Sequence, residues 1–173
     1  MTRRGPPDPY RAVVQLFNRL GVRYVVVGMS GINYYARNPA ETFATLDYDL
    51  LLEPTIHNVI QALQGLRAMG FTIGTARGLV EADANLRGIV RQRQTLVATT
   101  PDGITVELIL RVSGYTFSEL ARDAATFTVR GVPVKVGRLT KLLQSKKLAG
   151  RSKDRQFLRR YQSLLEDEGN VLS

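Results

Sequence analysis

Between residues 10 and 20, the apolar residues Val13, Val14, Leu16, Phe17 and Leu20 recur at intervals of three and four. They form one side of a helix that Gly21 closes. The next apolar run, 22–27, is rich in valine and ends at Gly28, which reads as a buried strand. The turn Gly28-Met29-Ser30-Gly31 then leads towards a short helix over 32–37. A second strand covers 46–52 and is stopped by Glu53-Pro54. Thr55 caps a helix that runs to Met69, with Gly70 as its C-terminal stop. Beyond it, 71–73 reads as a short strand, followed by a Gly-rich loop near Arg77-Gly78. Segments 94–99 and 104–110 form a hairpin about Pro101-Asp102-Gly103, and 117–124 is helical. Strands 127–129 and 132–136 turn at Gly131, and Pro133 points to an edge position. Two helices, 138–149 and 153–167, finish the chain on either side of Gly150. The pattern predicts an α/β (α+β) protein: a mixed β-sheet flanked by helices, with a C-terminal helical extension. It divides into a flexible leader over 1–9, a core over 10–137 and a helical segment over 138–173 packed on that core, a single domain in all.

Composition narrows the chemistry. The chain has 173 residues, of which 44% are apolar, enough for a sizeable core and too many for a disordered chain. No run approaches the roughly 18 apolar residues of a membrane span. The start, Met-Thr-Arg-Arg-Gly-Pro-Pro, has no apolar block behind its charges, so a cytoplasmic location without membrane attachment is expected. The absence of cysteine excludes disulfides, thiolate metal sites and cysteine nucleophiles, and the single histidine, His57, excludes multi-histidine metal sites. Carboxylates, hydroxyls, lysine and arginine remain. The net charge is +9, from 24 Lys and Arg against 15 Asp and Glu. Nearly all of the excess falls in 138–160, where Arg138, Lys141, Lys146, Lys147, Arg151, Lys153, Arg155, Arg159 and Arg160 face Asp154 alone. Such a run is either a solvated helical face or a surface for phosphates.

The acids are placed more tellingly. Asp47 and Asp49 alternate with apolar residues in Leu46-Asp47-Tyr48-Asp49-Leu50-Leu51-Leu52, so both point to one face of a strand, about 6.6 Å apart at Cα. Two like charges there repel each other and resist burial, which a cation such as Mg²⁺ resolves. Glu107 repeats the arrangement within Ile104-Thr105-Val106-Glu107-Leu108-Ile109-Leu110. If the two strands are neighbours, the three carboxylates converge and suffice for two ions about 3.5–4 Å apart. The strand-to-turn passage Val25-Val26-Val27-Gly28-Met29-Ser30-Gly31 presents backbone N–H groups and the Ser30 hydroxyl to phosphate. It is neither a Walker A loop nor a dinucleotide fingerprint. In the helix over 138–149, the stripe of Leu139, Leu142 and Leu143 continues onto Lys146, which is therefore directed at the core or a cleft. In the last helix, Asp154 extends the stripe of Phe157, Leu158, Tyr161, Leu164 and Leu165 backward. The two inward charges read as an ion pair or as the wall of a cleft.

In this order, these residues resemble the nucleotidyltransferase superfamily that includes DNA polymerase β. The likeness is closer to its minimal bacterial nucleotidyltransferases and to the abortive-infection (type IV toxin–antitoxin) nucleotidyltransferase toxins. Gly28-Met29-Ser30 resembles the family's glycine turn, Thr45-Leu46-Asp47-Tyr48-Asp49-Leu50 its Asp-x-Asp strand, and Glu107 its third acid. Ser145-Lys146-Lys147-Leu148-Ala149-Gly150-Arg151-Ser152-Lys153-Asp154 resembles its C-terminal pattern, and the likeness spans about residues 10–165. Met29 stands where a second glycine is frequent, Glu107 replaces the more usual Asp, and the chain is shorter than the larger toxins. The resemblance implies the nucleotidyltransferase fold and Mg²⁺-dependent transfer of a nucleoside monophosphate from an NTP, such as ATP, to an acceptor hydroxyl. It implies that Asp47 and Asp49 hold two Mg²⁺ ions, with Glu107 either the third ligand or a group that helps to deprotonate the acceptor. It implies that Gly28, Ser30, Lys146 and Arg151 or Lys153 meet the triphosphate and departing pyrophosphate. RNA (tRNA among them), a partner protein and a small molecule are all compatible acceptors, and a toxin's cognate partner protein would be a further ligand.

Two other readings compete. One is a relative with little or no activity that binds nucleotide or RNA as a regulator. The other is a basic RNA-binding domain whose acids are incidental. His57, at a helix start with no serine motif, reads as structural. Arg87, Arg91 and Arg93 read as solvated surface, and Tyr34, Tyr35 and Tyr48 as packing residues.

Overall fold

The computed structural model describes residues 8–36 and 47–150. Helix α1 (Pro9–Leu20) buries Val13, Val14 and Phe17 of the predicted stripe, while Leu16 is partly buried and Leu20 exposed, and Gly21 closes it in a left-handed conformation. It begins inside the segment expected to be leader. The Asp8 carboxylate caps it by accepting from the Tyr10 and Arg11 N–H groups at 3.0 and 3.3 Å, and Pro9 occupies the first turn without wasting a donor. Strand β1 (Tyr24–Val27) starts later than predicted, because the Val22 N–H still bonds back to the Phe17 carbonyl at 2.9 Å. All four β1 residues are buried. Helix α2 (Gly28–Asn33) begins at the glycine itself instead of after a four-residue turn.

Strand β2 (Asp47–Leu52) and helix α3 (Ile56–Ala68) follow expectation, with Thr55 Oγ1 accepting from the Asn58 N–H at 3.3 Å. The Gly-rich stretch after β3 (Thr72–Thr75) is a small hairpin with β4 (Gly78–Leu79), where a plain loop was expected. Helix α4 (Arg87–Arg91) was not anticipated: it has five residues, no side-chain cap and one buried residue, Val90. The predicted hairpin is present as β5 (Leu96–Thr99) and β6 (Thr105–Ile109). Helix α5 (Phe117–Arg122) carries a capping box between Thr116 and Glu119. Strands β7 (Ala125–Val129) and β8 (Val132–Val136) precede α6 (Leu139–Ala149), which Gly150 ends in a left-handed conformation. The helix predicted over 153–167 lies outside the described residues.

The eight strands form one mixed sheet in the order β4-β3-β5-β6-β2-β1-β8-β7. Pro133 is therefore not on an edge strand, since β8 lies between β1 and β7. It is tolerated because parallel β1 pairs with β8 only at Val26↔Val136, leaving the start of β8 beyond the start of β1. Register assigns the faces. Tyr48, Leu50, Leu52, Val106, Leu108, Leu96 and Ala98 share one face, all buried. Helices α1 and α3 cover it, with Tyr10 stacked on Tyr48 at 4.6 Å and Phe17 against Tyr24 at 6.1 Å. The opposite face carries Asp47, Asp49, Glu107 and Ile109, and Leu142 of α6 comes down on it beside Val25.

A buried polar residue fastens this frame. Asn58, 5% exposed, accepts from the Arg23 N–H at 2.8 Å and donates to the Arg23 and Glu53 carbonyls at 3.0 Å each. It ties α3 to the start of β1 and the end of β2. Asn58→Ala leaves the Arg23 N–H unpaired, while the Arg23 and Glu53 carbonyls still accept from the Glu53 and Thr55 N–H groups at 3.2 and 2.9 Å, so we expect a loss of roughly 1–3 kcal/mol in urea unfolding. A loss under about 0.5 kcal/mol would show that water replaces the amide.

Candidate active site

Asp49 and Glu107 are direct neighbours on the parallel strands β2 and β6. Their carboxyl groups are close enough for Glu107 to disfavour ionisation of Asp49. The pKa of Asp49 is raised to about 7, first by burial, then by the charge and hydrogen bond of Glu107 and the charge of Asp47, while the Lys146 ammonium pulls it down. Oδ1 of Asp49 is buried without a hydrogen-bond partner. Such an oxygen is costly to leave unsatisfied and lacks a cation or donor.

The local sequence builds this environment. Gly28 has φ +65° and lies so close to Asp49 that a Cβ there would sit 2.2 Å from Oδ2. Only glycine allows both the left-handed backbone and the approach. Two residues on, the buried Ser30 hydroxyl donates to the Val27 carbonyl and accepts from the Asp49 N–H, both at 2.9 Å. Ser30, expected at phosphate, thus fixes the backbone of Asp49, and its proton is committed to Val27. Gly31 lets α6 press onto α2, since a Cβ there would meet the Val26 carbonyl at 2.9 Å and Leu142 at 3.0 Å.

That packing seats Lys146. As its stripe predicts, α6 buries Leu139, Leu142 and Leu143, and Lys146 lines a cleft with Val27, Gly28, Asp49 and Glu107. Other cations of the basic run have structural roles. Asp123 pairs with Arg138 at 3.4 Å and Lys141 at 2.9 Å, and Lys141 also donates to the Glu119 carbonyl at 2.8 Å. Arg151, Lys153 and Asp154 lie outside the described residues.

Asp47 shares the face of Asp49, and its charge helps to raise the pKa values of both Asp49 and Tyr10. Among the described residues no three His, Asp or Glu side chains form a group that could hold a metal ion, although the charges of Asp47 and Glu107 both raise the pKa of Asp49. The Asp49–Glu107 pair does suit one hard divalent cation. It has the orphaned oxygen and the like charges that a cation relieves, and Mg²⁺ commonly uses only one or two carboxylates with phosphate oxygens and water.

The cleft has a volume of about 260 Å³. Besides the expected residues it is lined by Thr95, Arg111, Ser113 and Ser145. Arg111, just past the end of β6, went unnoticed in the sequence. His57 is exposed on α3, and Arg87 and Arg91 are exposed on α4. The Arg93 guanidinium is engaged with the Val90 and Pro54 carbonyls at 2.7 and 3.4 Å. The tyrosines are packing residues: the Tyr34 and Tyr48 hydroxyls meet at 2.5 Å, Tyr35 donates to the Gly137 carbonyl at 2.8 Å, and Tyr34 and Tyr35 flank Phe127.

By sequence, no known protein family and no curated protein matches the chain. By shape, it is similar to an antigenic nucleotidyltransferase-like protein from Paracoccidioides brasiliensis. The TM-score is 0.58 at 17% identity, over 90% of this chain and 73% of that one. JHP933 from Helicobacter pylori matches with a TM-score of 0.39 at 13% identity, over 79% and 52% of the two chains, too distant in shape to add weight. The fold is thus that of a nucleotidyltransferase-like protein, a mixed eight-stranded sheet flanked by helices. No helix among the described residues is long and apolar enough to cross a membrane.

Proposed function

We propose that the protein is a Mg²⁺-dependent nucleotidyltransferase that moves a nucleoside monophosphate from an NTP to an acceptor hydroxyl and releases pyrophosphate. The observation that carries this reading is the half-buried Asp49–Glu107 pair, with one buried and unpartnered oxygen, beneath Gly28 and within range of the Lys146 charge. Asp49 and Glu107 would hold the cation, with Asp47 on the same strand face assisting; when bound, Mg²⁺ neutralises triphosphate oxygens and polarises the α-phosphorus. Gly28 leaves room for phosphate against the strand end. Lys146 opposes the negative charge of the triphosphate and of the departing pyrophosphate, with Arg151 and Lys153 next along the chain as further cations. The acceptor oxygen forms its bond to the α-phosphorus as the bond to the β-phosphate bridging oxygen breaks, and Glu107 accepts the hydroxyl proton. Positioning and charge neutralisation supply most of the acceleration in such transfers.

One observation favours the regulator alternative. Asp47, Asp49 and Glu107 do not form a ready three-ligand group, which suits nucleotide binding without turnover. NTP labelled at the α-phosphate, incubated with the protein, Mg²⁺ and separate pools of RNA, protein and small molecules, distinguishes the two. Transfer of label that disappears with chelator and in the double variant Asp47→Asn/Asp49→Asn is the expected result. NTP binding without label transfer to any pool would establish the regulator.

A further inference from the structure

The cleft contains a cation that the scheme above leaves unused. Glu107 and Ile109 of β6 line the cleft, and so does Arg111, two residues past the end of that strand. Its side chain is exposed, and among the described residues no carboxylate pairs with it. Arg138 and Lys141, by contrast, are both held by Asp123. Sheet order gives the position a direction. The Gly28 turn reaches Asp49 from β1, whereas Glu107 stands on β6, on the other side of β2, and Arg111 follows the end of β6. A nucleotide whose phosphates occupy the turn leaves the β6 side of the cleft for the second substrate. There a planar guanidinium, with the Ser113 and Thr95 hydroxyls nearby, suits a phosphate better than a sugar or a neutral amide.

We propose that Arg111 anchors a phosphate of the acceptor, so that the second substrate carries a phosphate in addition to its reacting hydroxyl. This rests on the nucleotidyltransferase reading and adds the class of acceptor: a phosphorylated sugar or nucleotide chain in preference to a protein side chain or an uncharged compound. A strand of RNA and a small sugar phosphate share this chemistry.

The test is a set of binding titrations with wild-type protein, Arg111→Ala and Arg111→Lys, using three probes: a single-stranded RNA hexanucleotide, ribose 5-phosphate, and a non-hydrolysable NTP analogue with Mg²⁺. The wild type is expected to bind one of the first two, and the probe that binds identifies the source. Arg111→Ala should weaken that probe about tenfold, one good charge-assisted contact, while the NTP analogue stays within twofold. For RNA, the slope of log affinity against log salt should fall by about one contact. Arg111→Lys should retain part of the affinity. Failure of both phosphate probes to bind the wild type, or an equal loss of NTP-analogue affinity in Arg111→Ala, would overturn the assignment. Either result leaves the nucleotidyltransferase reading to its own test, because α-phosphate labelling and its dependence on Asp49 are measured separately.

Discussion

Asp49→Asn is expected to abolish α-phosphate transfer while making the metal-free protein more stable at alkaline pH. On the proposed reading the catalytic loss should reach about 10³-fold, because the variant would remove a charged ligand for the cation. The gain in stability follows from the same carboxylate. Its pKa in the folded protein is raised from 3.8 to about 7, so between these values the native state binds more protons than the unfolded chain. Stability therefore falls as pH rises through that window and stays reduced above it. The full shift corresponds to about 4 kcal/mol, and partial solvent access lowers the expected effect to roughly 2 kcal/mol. Urea unfolding of the wild type and Asp49→Asn should nearly coincide at pH 4 and separate at pH 8, with the variant more stable. An asparagine variant less stable than wild type at pH 8 would mean that the Asp49–Glu107 contact is a net support of the fold.

The second large effect concerns Gly28. Gly28→Ala places a methyl group in a left-handed backbone, which costs about 1–2 kcal/mol by itself, and sets it 2.2 Å from Asp49 Oδ2. The carboxylate or the turn has to move, so we expect a total destabilisation of about 3 kcal/mol and a fall in transfer of about 10²-fold. Gly21→Ala is the matched control. Gly21 has φ +72°, but nothing lies within 4 Å of its would-be Cβ. It should show the backbone cost alone, with transfer per folded molecule unchanged. If the two alanine variants behave alike in both stability and transfer, the close approach of Gly28 to Asp49 has no bearing on the site.

Local signals carried the elements that were legible in the sequence. The stripe of α1, the Thr55 cap, the hairpin of β5 and β6 and the inward position of Lys146 each depend on residues within one or two turns of one another. The alternation of Asp47 and Asp49 in an apolar strand likewise marked a charged face directly. The pairing of Asp49 with Glu107 depends on β2 and β6 being neighbours, a long-range fact to which periodicity offers no guide. Asp47 shows the limit of face arguments: sharing a face with Asp49 did not bring it into a three-ligand group. Ser30 shows a different limit, because a hydroxyl beside a glycine turn serves phosphate or backbone equally well, and only the placement of the Asp49 N–H decides between them. Helix α4 is too short and too exposed for an apolar stripe. Arg111 was missed because an exposed arginine at a strand end is unremarkable until the cleft around it is known.

The central claim is that Asp49 and Glu107 share one divalent cation with a triphosphate, and calorimetric titration of a non-hydrolysable NTP analogue tests it most directly. The wild type should bind the analogue tightly with Mg²⁺ and weakly with chelator. The Mg²⁺-dependent part should strengthen from pH 6 to pH 8, as the cation displaces a proton from a carboxylate that titrates at about 7. Asp49→Asn/Glu107→Gln should lose the dependence on both Mg²⁺ and pH. Binding that is equally tight with and without Mg²⁺, and unchanged in the double variant, would contradict the account.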